Sequence, residues 1–254
     1  TAEGVRSFTQ ADAQRFAHRH YRPDNAIFFA YGDISFSRLV RLLEKAQVGL
    51  PAASAIQRPQ SAELPHHDFL QEPHTVIIPK HTHQAHVMTG TQACNVHDAR
   101  RMPLYLLNNI LGGPGMNAKL NLALREHHGL VYTVESNLTT YSDLGYWSIY
   151  YGCDVHDIER CRRLVHRELQ HFIDRPLSPS QLRAAKKQIK GQIGVACDNR
   201  ENFALDFGKS YLHYGWLKNI QHLYEQIDEI TSQQIQEVAQ EYFADERLFT
   251  LIYQ

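Results

Sequence analysis

The stretch Leu111–Cys153, LGGPGMNAKLNLALREHHGLVYTVESNLTTYSDLGYWSIYYGC, holds a glycine-rich turn, a helix and two strands in unbroken succession. The spacing predicts a helix from Met116 to about His127 with Leu120, Ala123 and Leu124 on one face. Gly129 stands where a left-handed residue ends a helix. After it, Val131, Tyr132, Thr133 and Val134 are β-branched or aromatic and should alternate sides of a strand. Arg125, in the last helical turn, and Tyr132, on the strand, are then expected to face one cavity across the corner. On spacing alone both residues also have simpler uses, since a cation complements the helix C-terminus and tyrosine favours strands.

Working outward, the rest of the chain divides at a linker. Residues 1–48 read helix, strand, helix, with Thr9 capping Ala11–His20, an apolar run at Ala26–Tyr31, and Ser35 capping a helix to Lys45. The run Ala26–Tyr31 looks like a strand buried on both faces, yet this segment holds no strand to pair with it. Residues 49–65 turn to Ala, Ser, Gln and the three prolines Pro51, Pro59 and Pro65, as an interdomain linker does. Residues 66–254 then read as one complete domain. Its strands are His74–Pro79, Gln84–Ala93 and Leu248–Tyr253 beside those of the opening stretch. Its helices are Arg100–Leu111, Val155–Ile173, Ser178–Ala196, Arg200–Tyr214 and Ser232–Tyr242, with Ser178 and Gln181 forming a capping box. Strands bunched early and helices late imply an α+β fold, a largely antiparallel sheet covered by helices on one face, preceded by the truncated remnant of a second domain.

Composition excludes several classes of function. The chain has 254 residues, 43% hydrophobic and 10% aromatic, enough for a substantial core. Twenty-six basic and 27 acidic side chains leave a formal charge of −1, so neither nucleic acid nor a membrane surface is an expected partner. No apolar run approaches the ~20 residues of a membrane span. The four cysteines, Cys94, Cys153, Cys161 and Cys197, have no C-x-x-C spacing and read as buried thiols, which favours the cytoplasm over the periplasm slightly.

The 16 histidines raise a metal hypothesis that the spacings do not support. On a strand, His81 and His83 share a face and His86 lies on the other, with no carboxylate nearby to complete a zinc set. His66-His67-Asp68 falls at the end of the linker, where ligands would be poorly held. His156-Asp157-Ile158-Glu159-Arg160 departs from H-x-x-E-H at its last position, where a guanidinium cannot coordinate zinc. Neither H-E-x-x-H nor G-x-S-x-G occurs, and Gly112-Gly113-Pro114-Gly115 lacks the lysine and hydroxyl of a phosphate loop. No catalytic residue and no metal ligand is assigned in this chain.

Three motifs carry a resemblance. Leu111-Gly112-Gly113-x-Gly115-Met116-x-x-x-Leu120, then Leu124-Arg125-Glu126-x-x-Gly129-Leu130-x-Tyr132-x-Val134, then Tyr141-x-Asp143-x-Gly145 resemble the carboxy-terminal half of the inverzincin zinc peptidases, relatives of pitrilysin, insulysin and mitochondrial processing peptidase. Gln84-Ala85-His86-Val87 resembles a strand of the same family, and Tyr21-x-Pro23-x-Asn25 with Gly32-Asp33 resembles the end of its amino-terminal domain. The resemblance implies a processing-peptidase-like fold and a zinc metalloendopeptidase in which Arg125 and Tyr132 hold the substrate backbone. It also implies that H-x-x-E-H and its zinc belong to a preceding amino-terminal domain or to a zinc-carrying subunit, so that this chain alone is inactive. The expected partners are therefore a peptide or unfolded segment and that missing half, in a homo- or hetero-dimer. Two other readings stay open: a non-catalytic partner subunit of a two-subunit peptidase, and a structural core-type scaffold without proteolysis.

Overall fold

The computed structural model describes residues 1–22, 25–46, 74–80, 82–217 and 219–254; the linker read at 49–65 lies outside them, as do His66, His67, Asp68 and His81. The chain divides into two units, Thr1–Glu63 with Gly194–Asn219, and Leu64–Ile193 with Ile220–Gln254.

The first unit contains α1 (Ala2–Ser7), α2 (Gln10–His20) and α3 (Phe36–Ala46). Thr9 caps α2 through a full capping box with Asp12, which satisfies two backbone donors at once. The run Ala26–Tyr31 forms no strand ladder, contrary to the expectation from sequence. Among the described residues no strand receives its backbone hydrogen bonds, and only Ile27 and Phe29 of the run are half-buried. Ile27 and Phe29 lie on the helix Arg200–Tyr214 near Gly208, and Phe29 meets Phe207 at 4.9 Å between ring centroids. Phe28 is 64% exposed. These contacts group residues 194–219 with the first unit, whereas the sequence reading placed them in the carboxy-terminal domain.

The second unit is built on strands β1 (Thr75–Ile78), β2 (Ala85–Ala93), β3 (Val131–Thr140), β4 (Gly145–Cys153) and β5 (Phe249–Tyr253). They form one sheet in the order β1-β5-β2-β4-β3. The β1–β5 pair is parallel and every other pair antiparallel. The α+β reading from sequence holds. One sheet face, carrying Val87, Trp147, Ile149, Tyr151 and Ile252, is buried beneath α4 (Arg101–Gly112), α5 (Ile158–Asp174) and the helix Ser232–Tyr242. The opposite face carries the exposed Met88 and Tyr146, the half-open arrangement that antiparallel sheets permit. A further helix at Ile220–Glu229, absent from the sequence reading, packs through the fully buried Ile227. Ser178 and Gln181 do form the expected capping box at the start of the helix Pro179–Asp198.

Trp147 ties the layers together. Its indole stacks on Phe243 with centroids 4.3 Å apart. Its Nε1–H donates to Ser136 Oγ at 3.0 Å and Asn108 Oδ1 at 3.2 Å, while the Ser136 hydroxyl donates to the same Asn108 oxygen at 2.6 Å. β3, β4 and α4 are thereby locked in one register. Where α4 ends, Gly112 lies so close to β3 that a Cβ there would meet the Ser136 backbone nitrogen at 2.6 Å, and only glycine allows that approach. Among the described residues no helix is long and apolar enough to cross a membrane. We expect Trp147→Phe to lower stability by roughly 1–3 kcal/mol, because it removes a buried donor from a satisfied network and leaves unfilled volume against Phe243. Urea denaturation followed by circular dichroism measures this.

Candidate functional site

The corner between the helix after α4 and strand β3 departs from regular geometry in both elements. The helix begins at Lys119 rather than at Met116, and residues Asn121–Glu126 are wound as a π-helix. Its widened turn is explicit at the end, where the His127 N–H donates to Leu122 C=O, five residues back, at 3.0 Å. Leu120, Ala123 and Leu124 are buried as the periodicity predicts, which holds this short helix against the domain.

The stop that follows is a Schellman-like motif widened by the same residue. Gly129, at φ +62°, donates to Arg125 C=O at 2.8 Å, and the Leu130 N–H donates to Leu124 C=O at 2.9 Å. The usual motif spans one residue fewer in each bond, so the π-turn is carried through into the cap. His128 adds a third closure, its Nδ1–H donating to Ala123 C=O at 2.6 Å. The carbonyls left over at the helix end are thus satisfied internally.

Strand β3 begins with a second irregularity. Val131 pairs with Cys153 and Val134 with Tyr151, so two residues, Tyr132 and Thr133, stand opposite the single residue Gly152. This bulge replaces the simple alternation expected from sequence, and both residues of the bulge are exposed. A β-bulge re-aims side chains in this way at the margins of sheets, and β3 is an edge strand.

The two distortions bring the sequence-predicted pair together. The Arg125 guanidinium carbon lies 5.9 Å from the centroid of the Tyr132 ring, within the range of a cation–π contact. Tyr132 is 83% exposed, and its hydroxyl has no hydrogen-bond partner among the described residues. The Arg125 side chain is 46% exposed and meets a carboxylate only in Glu126, at 3.8 Å, a distance too long for a direct hydrogen bond. Both donors therefore face solvent with most of their hydrogen-bonding capacity unspent. A guanidinium has five N–H groups and a phenol one O–H, and among the described residues none of these is hydrogen-bonded. Such a pair can take carbonyl or carboxylate oxygens from an incoming chain.

The other groups raised by sequence behave differently. His86 lies on the open sheet face, hydrogen-bonded to the Tyr150 hydroxyl at 2.8 Å and stacked on its ring. His156 sits in a 3₁₀ turn, Val155–Asp157, ahead of α5. Among the described residues no group of three or more His, Cys, Asp or Glu side chains is placed to hold a metal ion, so zinc does not fit any donor set found here. Cys94, Cys153, Cys161 and Cys197 are free, the first three buried. The π-turn and the bulge were not anticipated from sequence. Each is an insertion of one residue into a regular element, and neither leaves a mark in hydrophobic periodicity.

Residues 7–189 match the family described as Peptidase M16 inactive domain. An uncharacterized zinc protease of Streptomyces coelicolor is 25% identical over 245 residues, covering 95% of this chain and 52% of that protein. Mitochondrial-processing peptidase subunit beta of Blastocladiella emersonii is 24% identical over 253 residues, covering 97% of this chain and 53% of its own. A protease from Helicobacter pylori superposes with a TM-score of 0.84 at 19% identity, over 100% of this chain and 61% of that one, and so shares the fold. The chain spans about half the length of the curated relatives it matches. With the family matched over most of its length and the fold shared, this chain belongs to the Peptidase M16 inactive domain family.

Proposed function

We propose that this chain is the substrate-binding region of a zinc metalloendopeptidase that cleaves peptides or unfolded segments, and that Arg125 and Tyr132 hold the substrate backbone. The observation that carries this reading is the corner itself. A guanidinium and a phenol, 5.9 Å apart, are presented to solvent by two distorted elements whose internal bonds leave both side chains uncommitted.

The chemistry follows from that arrangement. A peptide in extended form offers carbonyl oxygens with two lone pairs each, and in a groove it loses the water that would satisfy them. Arg125 and Tyr132 supply the missing donors. Aimed at a carbonyl undergoing hydrolysis, they also stabilise the negative charge that grows on its oxygen. Zinc, when bound, supplies Lewis-acid activation, but no residue described here would hold it. Its ligands are assigned to an amino-terminal domain outside these residues or to a zinc-carrying subunit, with the two parts associating as a homo- or hetero-dimer. The similarity to a processing-peptidase beta subunit favours a relative built from separate chains as the second version. The free thiols fit a reducing compartment such as the cytoplasm.

In the complete protein, or in the complex reconstituted with a zinc-bearing partner, Tyr132→Phe and Arg125→Ala should each lower turnover of a fluorogenic unfolded peptide by about 10²-fold. Zinc content and circular dichroism should not change. Cleavage at the parent rate by both variants would remove the substrate-binding role. Gly129→Val should lower stability by about 1–2 kcal/mol, because a β-branched residue is strained at positive φ; urea titration of the same protein measures it.

A further inference from the structure

A second feature of the Leu64–Ile193 and Ile220–Gln254 unit is independent of the corner. Between α5 and the covered sheet face lies a partly open cavity of about 450 Å³. That volume is many times the ~30 Å³ of one water and falls within the ~300–1,000 Å³ of small-molecule sites.

Its floor is formed by hydroxyl-bearing residues on three adjacent strands, Thr250, Thr89 and Tyr151. Thr250 on β5 and Thr89 on β2 stand opposite each other in register, and their hydroxyls share one hydrogen bond of 3.0 Å. On β4, Tyr151 is 0% exposed, yet its hydroxyl has no hydrogen-bond partner among the described residues. A buried phenol of this kind normally finds a partner, because leaving it unpaired costs about 1–3 kcal/mol. Burial, reinforced by the neighbouring Cys161 and Cys153, pushes the Tyr151 phenol far above its ordinary range against the weaker pull of Arg162. It is held protonated, as a donor. The threonine pair spends one of its two hydroxyl protons internally and has the other to offer.

The wall and mouth complete the chemistry. Val165 and Leu169 of α5 supply an apolar side. At the mouth, Arg162 donates through Nη1 to Glu159 at 2.8 Å and through Nη2 to Thr75 Oγ1 at 3.3 Å. Those bonds use two of its five N–H groups. His166 Nε2 and Asp245 are hydrogen-bonded at 3.0 Å, and Arg163 is a second cation of the lining. The two mouth carboxylates thus already have partners, while donors remain on the floor and on Arg162.

We propose that this cavity binds a small carboxylic acid with a short apolar tail, its carboxylate received by Tyr151, the Thr89–Thr250 pair and Arg162 and its tail lying against Val165 and Leu169. A carboxylate has two oxygens and about four lone-pair positions, which suits converging hydroxyl and guanidinium donors. The apolar wall favours a hydrocarbon over a chain of waters in the remaining volume.

Phenylacetate and butyrate, titrated calorimetrically into the complete protein, test this, with 2-phenylethanol as the neutral control. Saturable binding of one acid per chain is expected, with Tyr151→Phe and Arg162→Gln each weakening it roughly tenfold or more. Because Tyr151→Phe removes an oxygen that has no partner, that variant should melt at the same temperature as the parent or higher, which separates loss of binding from loss of fold. Arg125→Ala should bind the acids normally, so the result stands apart from peptide turnover. Absence of saturable binding up to about 10 mM, unchanged affinity in Tyr151→Phe, or equal binding of 2-phenylethanol would each overturn the assignment.

Discussion

One indole nitrogen holds the layers of the larger unit in place. Trp147 projects from β4 against Phe243, at the end of the helix Ser232–Tyr242, and its Nε1–H reaches an oxygen on α4 and another on β3. A buried N–H of this kind is expensive to leave unpaired, so the three elements are fixed relative to one another by a polar requirement inside an apolar layer. The surrounding Leu104, Leu107, Ile149 and Phe243 supply burial, which is strong but non-directional. The network adds direction. The close approach of Gly112 to Ser136 belongs to the same junction, since a side chain there would push α4 off the strand that carries the hydroxyl.

The candidate site grows from that fixed base. The helix after α4 is pinned by Leu120 and Leu124, both fully buried, and β3 is pinned by Ser136. The chain between them has to turn within a few residues. It does so with one extra residue in the last helical winding and one extra residue in the first strand pairing. Both additions lie on the exposed side, where no packing opposes them. Their combined result is to raise Arg125 and Tyr132 out of the regular surface and to leave their donors free of internal acceptors. Local irregularity of this kind is commonest where a surface is used.

The smaller unit has the opposite character. Its helices are well capped, yet Phe28, Phe36 and other large apolar side chains are exposed, and its central apolar run pairs with no strand. A segment of that composition is built for a neighbour on either side. The chain spans about half the length of the curated relatives it matches.

Much of this was legible in the sequence. The alternation in Ala85–Ala93 and Gly145–Cys153, the 3.6-residue period of Ile158–Asp174, and the glycine at position 129 determined the elements, because each is a local preference summed over neighbours. The motifs around Arg125 and Tyr132 singled out the pair proposed to hold the substrate. Other features were not legible. Helix Ile220–Glu229 has too short an apolar period to stand out, and it is settled by the burial of Ile227. Residues 194–219 look like part of the larger domain until Phe203 and Phe207 meet Tyr31 and Phe29. The floor of Thr89, Tyr151 and Thr250 arises from register between strands distant in the chain, and the π-turn and the bulge each add one residue that hydrophobic periodicity does not show. Sequence by itself determined most of the helices, strands and turns, since these depend on near neighbours. Only the tertiary structure decided which donors are left without acceptors, because a hydrogen-bond partner is assigned by position in space.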